Sequence, residues 1–166
     1  MAVEFPSRGR LPAVALSILL FAVSLACMAF SSDGRDRTPG WSAFTLGWIP
    51  ALIDIPGFLR GQFEYWTCIA WFANPLLLGC WVLTAVRQRR QALVFGAATL
   101  VLGLVFLATR QLPMGDHDLK DVVPGGGYFL WVASMLAALA GAACTARPEP
   151  ADPLRHDDRH RRASGR

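Results

Sequence analysis

The sequence predicts an all-α protein: an integral membrane bundle of four transmembrane helices, with a short interfacial helix in the first outer loop. Three observations carry this. Four stretches of about twenty residues, 11–30, 65–86, 91–109 and 122–146, hold no charged side chain. A hydrocarbon core ~30 Å thick needs ~20 apolar residues at 1.5 Å rise each. One such run would suit a buried helix or a signal peptide; four in 166 residues do not. Second, hydrophobic residues make up 54% and charged ones 17%, against ~25% charged in soluble domains. The polar segments are too short for a soluble domain of ordinary size, so the core must be the bundle itself. Third, the arginines are sorted. Eleven of the sixteen basic residues fall in residues 1–10, the hairpin Arg87-Gln88-Arg89-Arg90 and the tail after 146. Positive charge stays on the cytoplasmic side of a membrane, most reliably in short loops. Both termini are therefore expected in the cytoplasm.

The elements follow in order. Residues 1–10 form a cytoplasmic lead with Arg8 and Arg10. The first span, 11–30, begins like a signal peptide, and Ser24-Leu25-Ala26-Cys27 is an imperfect lipoprotein cleavage box. The apolar run continues through Met28-Ala29-Phe30, which favours a retained span over cleavage before Cys27.

Residues 41–53 are too short to span twice and too apolar to float in water. They read as a helix lying on the outer leaflet or as a re-entrant segment. Trp41, Trp48, Trp66, Tyr128 and Trp131 are the expected interfacial aromatics. The acidic residues Asp33, Asp36, Asp54, Glu64, Asp116, Asp118 and Asp121 all lie in the two outer loops.

The second span, 65–86, carries Asn74-Pro75 at mid-depth, where proline frees a carbonyl and kinks the helix. Trp71, Asn74, Leu78 and Trp81 share a face beside Pro75, a possible cavity or packing face. The third span, 91–109, offers Gly96, Thr99 and Gly103 for close helix approach. The fourth, 126–146, follows Pro124-Gly125-Gly126-Gly127, and Ala133, Ala137 and Gly141 give it a small-xxx-small packing face. Domain 11–146 is thus the bundle, and 147–166 is a disordered basic cytoplasmic tail.

Most chemistries lack their residues. The spans contain no ionisable group of the kind that marks proton or ion pathways. Asp116-His117-Asp118 with Asp121, and His156 and His160 around Asp157-Asp158, lack the spacing of structural zinc sites. Ser42 and Ser134 have no visible base. Cys68 and Cys80 are ~18 Å apart along one helix, too far to bridge. Cys27 and Cys144 fall near opposite ends of their spans, and buried cysteine behaves as a small hydrophobe. The glycine run lacks the lysine and strand of a phosphate loop. No cofactor, metal or catalytic residue is expected.

Gly47-Trp48, Trp71-Phe72-Ala73-Asn74-Pro75-Leu76-Leu77-Leu78 and Gly127-Tyr128-Phe129-Leu130-Trp131-Val132-Ala133-Ser134 together resemble a group of small uncharacterised bacterial inner-membrane proteins. The resemblance implies four spans in the bacterial cytoplasmic membrane and carries no activity. An arginine-dominated basic set and abundant alanine fit a GC-rich bacterial genome. The expected role is non-enzymatic, through contacts with the lipid bilayer and with another membrane protein or a second copy of the chain, not with nucleic acid. The contact surfaces would be the Trp-rich outer loop and the Ala133/Ala137/Gly141 face. The alternative is a small-solute or lipid-binding transporter or pore component using the kinked second span.

Overall fold

In the computed structural model the described residues are 10–32, 36–53, 55–60, 69–109, 111–113 and 119–145. The 147–166 tail, the Asp116-His117-Asp118 cluster, His156, His160, Cys68 and Trp66 lie outside them. The described chain runs α1 (Arg10–Ala26), β1 (Met28–Ser32), β2 (Asp36–Pro39), α2 (Gly40–Leu46), α3 (Trp48–Ile53), α4 (Ile55–Leu59), a 3-10 turn (Ala70–Phe72), α5 (Ala73–Ala85), α6 (Arg89–Thr109), β3 (Gln111–Pro113), β4 (Leu119–Pro124) and α7 (Gly126–Ala143). The protein is mostly helical. Two stretches, Arg89–Ala108 and Gly126–Ala143, are long and apolar enough to cross a membrane, with mean hydropathies of 2.2 and 1.5. Arg10–Ala26 and Ala70–Ala85 are shorter apolar helices.

The long helices alternate in direction. Gly141 near the end of α7 meets Ala13 and Val14 near the start of α1, while Gly127 at the start of α7 meets Ser24 at the end of α1 and Met28 at the start of β1. Gly96 of α6 lies against Leu139 of α7, and Gly103 against Met135. Gly79 of α5 faces Phe95 of α6, and the Cys80 thiol donates to the Ala92 carbonyl at 3.4 Å. α5 reaches α1 through Trp81, whose indole N–H donates to Ser17 Oγ at 2.8 Å. Arg10, Arg87 and Arg89 therefore gather at one end of the bundle, and the strands at the other.

The described interior of the bundle holds Ser17, Ser24, Asn74, Thr84, Thr99 and Ser134 beside alanines and the larger Leu77, Phe106, Tyr128 and Met135. The outside carries Leu16, Leu19, Val82, Val101 and Leu136, each at least half exposed. Small interior residues let helix backbones approach closely.

An all-α fold is not what forms. Residues 28–32 and 119–124 pair in a four-stranded antiparallel sheet of order β2-β1-β4-β3, with Phe30 opposite Pro124 and Ser32 opposite Val122. The first apolar run therefore changes from helix to strand after Ala26. Hydropathy cannot separate a helix from a buried strand, and the decision rests on β4, which supplies the ladder. Pro39 and Pro113 end the two edge strands and blunt them against further pairing.

Two further expectations change. The outer-loop segment is three short helices rather than one, because Pro50 and Pro56 fall in the first turns of α3 and α4, where proline is tolerated. Pro75 sits in the first turn of α5 rather than kinking a helix at mid-depth. The tighter 3-10 turn before it absorbs the missing donor, and the Ala73 N–H is shared between the Ala70 and Trp71 carbonyls. The last helix ends at Ala143, and α6 begins at Arg89, two residues before the charge-free run.

The hairpin between α5 and α6 closes with the Arg87 N–H on the Thr84 carbonyl (3.2 Å) and the Gln88 N–H on the Leu83 carbonyl (2.9 Å). This is the paired C-terminal helix stop that usually places glycine in the left-handed region. Here Arg87 occupies it, at φ 65°. Arg87→Gly is expected to raise stability by roughly 0.5–1 kcal/mol, because the Cβ strain disappears. Denaturant unfolding in detergent micelles measures it; a loss of stability would mean the arginine side chain contributes more than its strained backbone costs.

Candidate apolar cavity

A cavity of about 390 Å³ lies at the sheet end of the bundle. Ligand pockets run ~300–1,000 Å³, and a ~150 Å³ apolar void already holds benzene. Its walls are built by five separate parts of the chain. α1 contributes Phe21, Ser24 and Leu25; β1 contributes Ala29 and Phe30. α2 covers it with Ser42, Ala43 and Phe44. The remaining wall comes from Trp71 and Asn74, from Phe106 of α6, and from Gly127, Tyr128 and Trp131 of α7. Among the described residues, none that lines it bears a formal charge at neutral pH.

Local sequence explains how α2 is set over the opening. The Gly40 N–H bonds to the Cys27 carbonyl at 2.8 Å, and a Cβ at Gly40 would strike the backbone at Ser24 and Leu25. Only glycine permits that approach. The Trp71 indole N–H donates to the Phe44 carbonyl at 2.8 Å and ties α2 to the turn before α5. Gly47 leaves the space that the Trp71 ring enters.

Aromatic rings form two rows. Phe21 stands edge-on between Phe44 and Trp81, with both centroid distances 5.6 Å. Opposite, Phe30, Phe106, Tyr128 and Trp131 follow one another at 5.8, 5.2 and 6.0 Å. Such edge and tilted pairs are each worth ~0.5–1.5 kcal/mol beyond burial. The polar tips are largely engaged. Tyr128 OH donates to the Gly103 carbonyl (2.8 Å), Ser24 Oγ to the Phe21 carbonyl (2.6 Å) and Trp131 Nε1 to Asn74 Oδ1 (2.9 Å). Asn74 is 6% exposed, and its amide nitrogen donates to no described group.

The residues singled out from sequence are distributed differently from one shared face. Trp71 and Asn74 line the cavity; Pro75 and Leu78 point outward; Trp81 turns to α1. The buried stripe of α5 is Ala73, Leu77, Cys80 and Thr84, because small side chains let α6 approach. Trp41 and Trp48 are exposed at the sheet end. The Tyr128 O–H and Trp131 N–H, expected at an interface, are bonded inside the bundle. Gly141 packs inside the molecule against α1, so that part of the small-residue face is already occupied.

Ser134 Oγ donates to the Trp131 carbonyl of its own helix, and Ser42 has no base beside it among the described residues. Cys27, Cys80 and Cys144 are free thiols. Among the described residues no group of three His, Cys, Asp or Glu side chains could hold a metal ion.

Phe21, Phe30 and Phe106 were not legible as site residues, since each belongs to an apolar run where any position could face any way. Gly40 and Gly47, bracketing an apolar segment, were the available signal. In comparisons with family models, curated proteins and solved structures, nothing matches this chain.

Proposed function

We propose that this chain is a non-enzymatic, four-span protein of a bacterial cytoplasmic membrane, with both termini cytoplasmic, that binds a neutral apolar ligand at the outer end of its bundle. The cavity under α2 carries this reading: it is of ligand size, apolar, and lined by no formal charge among the described residues. The membrane setting draws support from the apolar side chains exposed on the outer faces of the helices and from the two helices long and apolar enough to span. The arginines at the opposite end support the orientation. α1 and α5 are short for a ~30 Å core, and local thinning or flanking residues accommodate a short span at modest cost. The role belongs to transport or storage of a lipid-like molecule rather than its conversion, since among the described residues the lining hydroxyls of Ser24, Thr38, Ser42 and Tyr128 have no titratable base beside them in the lining and no metal cluster is found.

The test is binding of a neutral fluorescent probe, N-phenyl-1-naphthylamine, to the purified protein in a short-chain detergent. Saturable single-site binding, abolished by filling the cavity with Ala43→Phe, is the expected result. Binding that never saturates, or that ignores Ala43→Phe, overturns the reading. Orientation is checked separately. Reporter fusions after Arg90 and Arg166 should read cytoplasmic and one after Asp118 periplasmic; a cytoplasmic reading at Asp118 refutes four spans.

A second reading, an accessory subunit acting by protein contact, is favoured by α2–α4. Trp41, Leu46, Leu52 and Leu59 are exposed there, an apolar surface fitted either to the outer leaflet or to a membrane partner.

A further inference from the structure

From the donor pattern of this cavity we infer that its ligand is a flat, neutral, carbonyl-bearing ring with an apolar tail, of the isoprenoid-quinone type. The inference rests on the apolar-ligand reading above and narrows it.

Charge is the first filter. Burying an anion without a partner is prohibitive, and among the described residues no lysine, arginine or histidine lines the cavity. The described lining therefore offers no partner to a fatty-acid carboxylate or a lipid phosphate and favours a neutral molecule.

Hydrogen-bond polarity is the second. Asn74 is nine-tenths buried, and its Oδ1 accepts the Trp131 indole proton. That bond fixes which way the amide faces. It also leaves the nitrogen, with two N–H donors, as the free end. A buried donor left unmade costs free energy, so the wall at Asn74 favours an acceptor. A carbonyl oxygen satisfies it; an alkyl chain does not. On the α2 side, Thr38 and Ser42 add hydroxyls to the lining, and neither donates to a described group. Donors thus come from two parts of the chain, Asn74 and residues 38–42, which suits a ring carrying more than one carbonyl.

Shape is the third. Phe21, Phe30, Phe44, Trp71, Phe106, Tyr128 and Trp131 supply ring faces and edges to the lining, and flat rings gain offset or edge-on contacts that a flexible chain lacks. The volume of about 390 Å³ exceeds a single benzene site more than twofold. A substituted ring and the first part of its tail fit such a space.

The experiment measures quenching of tryptophan fluorescence in the full-length protein in detergent, titrated with decyl-benzoquinone and, separately, with 1-dodecanol. Wild type should bind the quinone saturably. Asn74→Leu should weaken quinone binding by roughly 10-fold, the worth of about one hydrogen bond to a buried donor, and leave dodecanol binding unchanged. The double variant Asn74→Leu/Trp131→Phe removes both ends of the internal bond and replaces the single variant should that one not fold. Ala43→Phe should abolish binding of both probes. Equal binding of quinone and dodecanol with no effect of Asn74→Leu would overturn the carbonyl-ring inference and leave the apolar-ligand reading standing. Saturable binding of neither probe would overturn both.

Discussion

Gly127→Val should disassemble the sheet end of the bundle, lowering stability by about 3 kcal/mol, at the upper end of what overpacking costs. The reason is backbone, not side chain. A Cβ at Gly127 would stand 2.8 Å from the Met28 carbonyl oxygen and 2.9 Å from the Ser24 carbonyl oxygen. Neither can rotate away. Both belong to the junction where α1 gives way to β1, which is also where the Gly125 N–H bonds to the Ala29 carbonyl at 2.8 Å. Relief requires α7 to move off α1. That separation would also pull Tyr128 from Gly103 and open the cavity wall. Gly126→Val one residue earlier is the control: a Cβ there meets nothing within 4 Å. Thermal unfolding in micelles should show a large loss for Gly127→Val and a change within ~0.5 kcal/mol for the control. Equal losses for the two would mean that a glycine is needed for conformational freedom rather than for close approach.

Ser17→Ala should cost about 1–2 kcal/mol, large for the removal of one oxygen atom. Ser17 is fully buried and joins three helices. Its hydroxyl donates to the Ser134 carbonyl of α7 at 2.7 Å and accepts from the Trp81 indole of α5 at 2.8 Å. Removing it strands the Trp81 N–H in an apolar interior, and the unmade donor carries most of the cost. Hydrogen bonds between helices in apolar surroundings have been worth ~0.6 and up to ~1.7 kcal/mol. A double-mutant cycle separates the contributions. Ser17→Ala combined with Trp81→Phe should be less destabilising than the sum of the single changes, since the phenyl ring leaves no donor unpaired. Strict additivity would show that the Trp81 bond contributes nothing and that Ser17 acts through α7 alone.

The limits of sequence reading show at particular residues. The helices α6 and α7 followed from charge-free runs because helix length and apolar content are both local quantities. The arginine sorting was legible for the same reason, and the structure gathers Arg10, Arg87 and Arg89 at one end. The sheet was not legible. Met28-Ala29-Phe30 is as apolar as the helix before it, and its strand conformation depends on two partners: β2, where Met28 lies opposite Pro39 and Phe30 opposite Thr38, and β4, where Phe30 lies opposite Pro124, more than ninety residues away. Nor was the fate of the aromatic side chains. Tyr128 and Trp131 have the amphipathic character of interfacial anchors, yet each finds its acceptor inside the bundle, in Gly103 and Asn74.

The sequence by itself determined that long apolar helices form, because helix length and apolar content depend on neighbours a few residues apart. Only the tertiary structure decided that two loops pair into one sheet, that α2 closes over a cavity, and that Asn74 is turned to leave donors free. Each of these rests on backbone or side-chain partners brought together from distant parts of the chain, and no local pattern encodes such a partner.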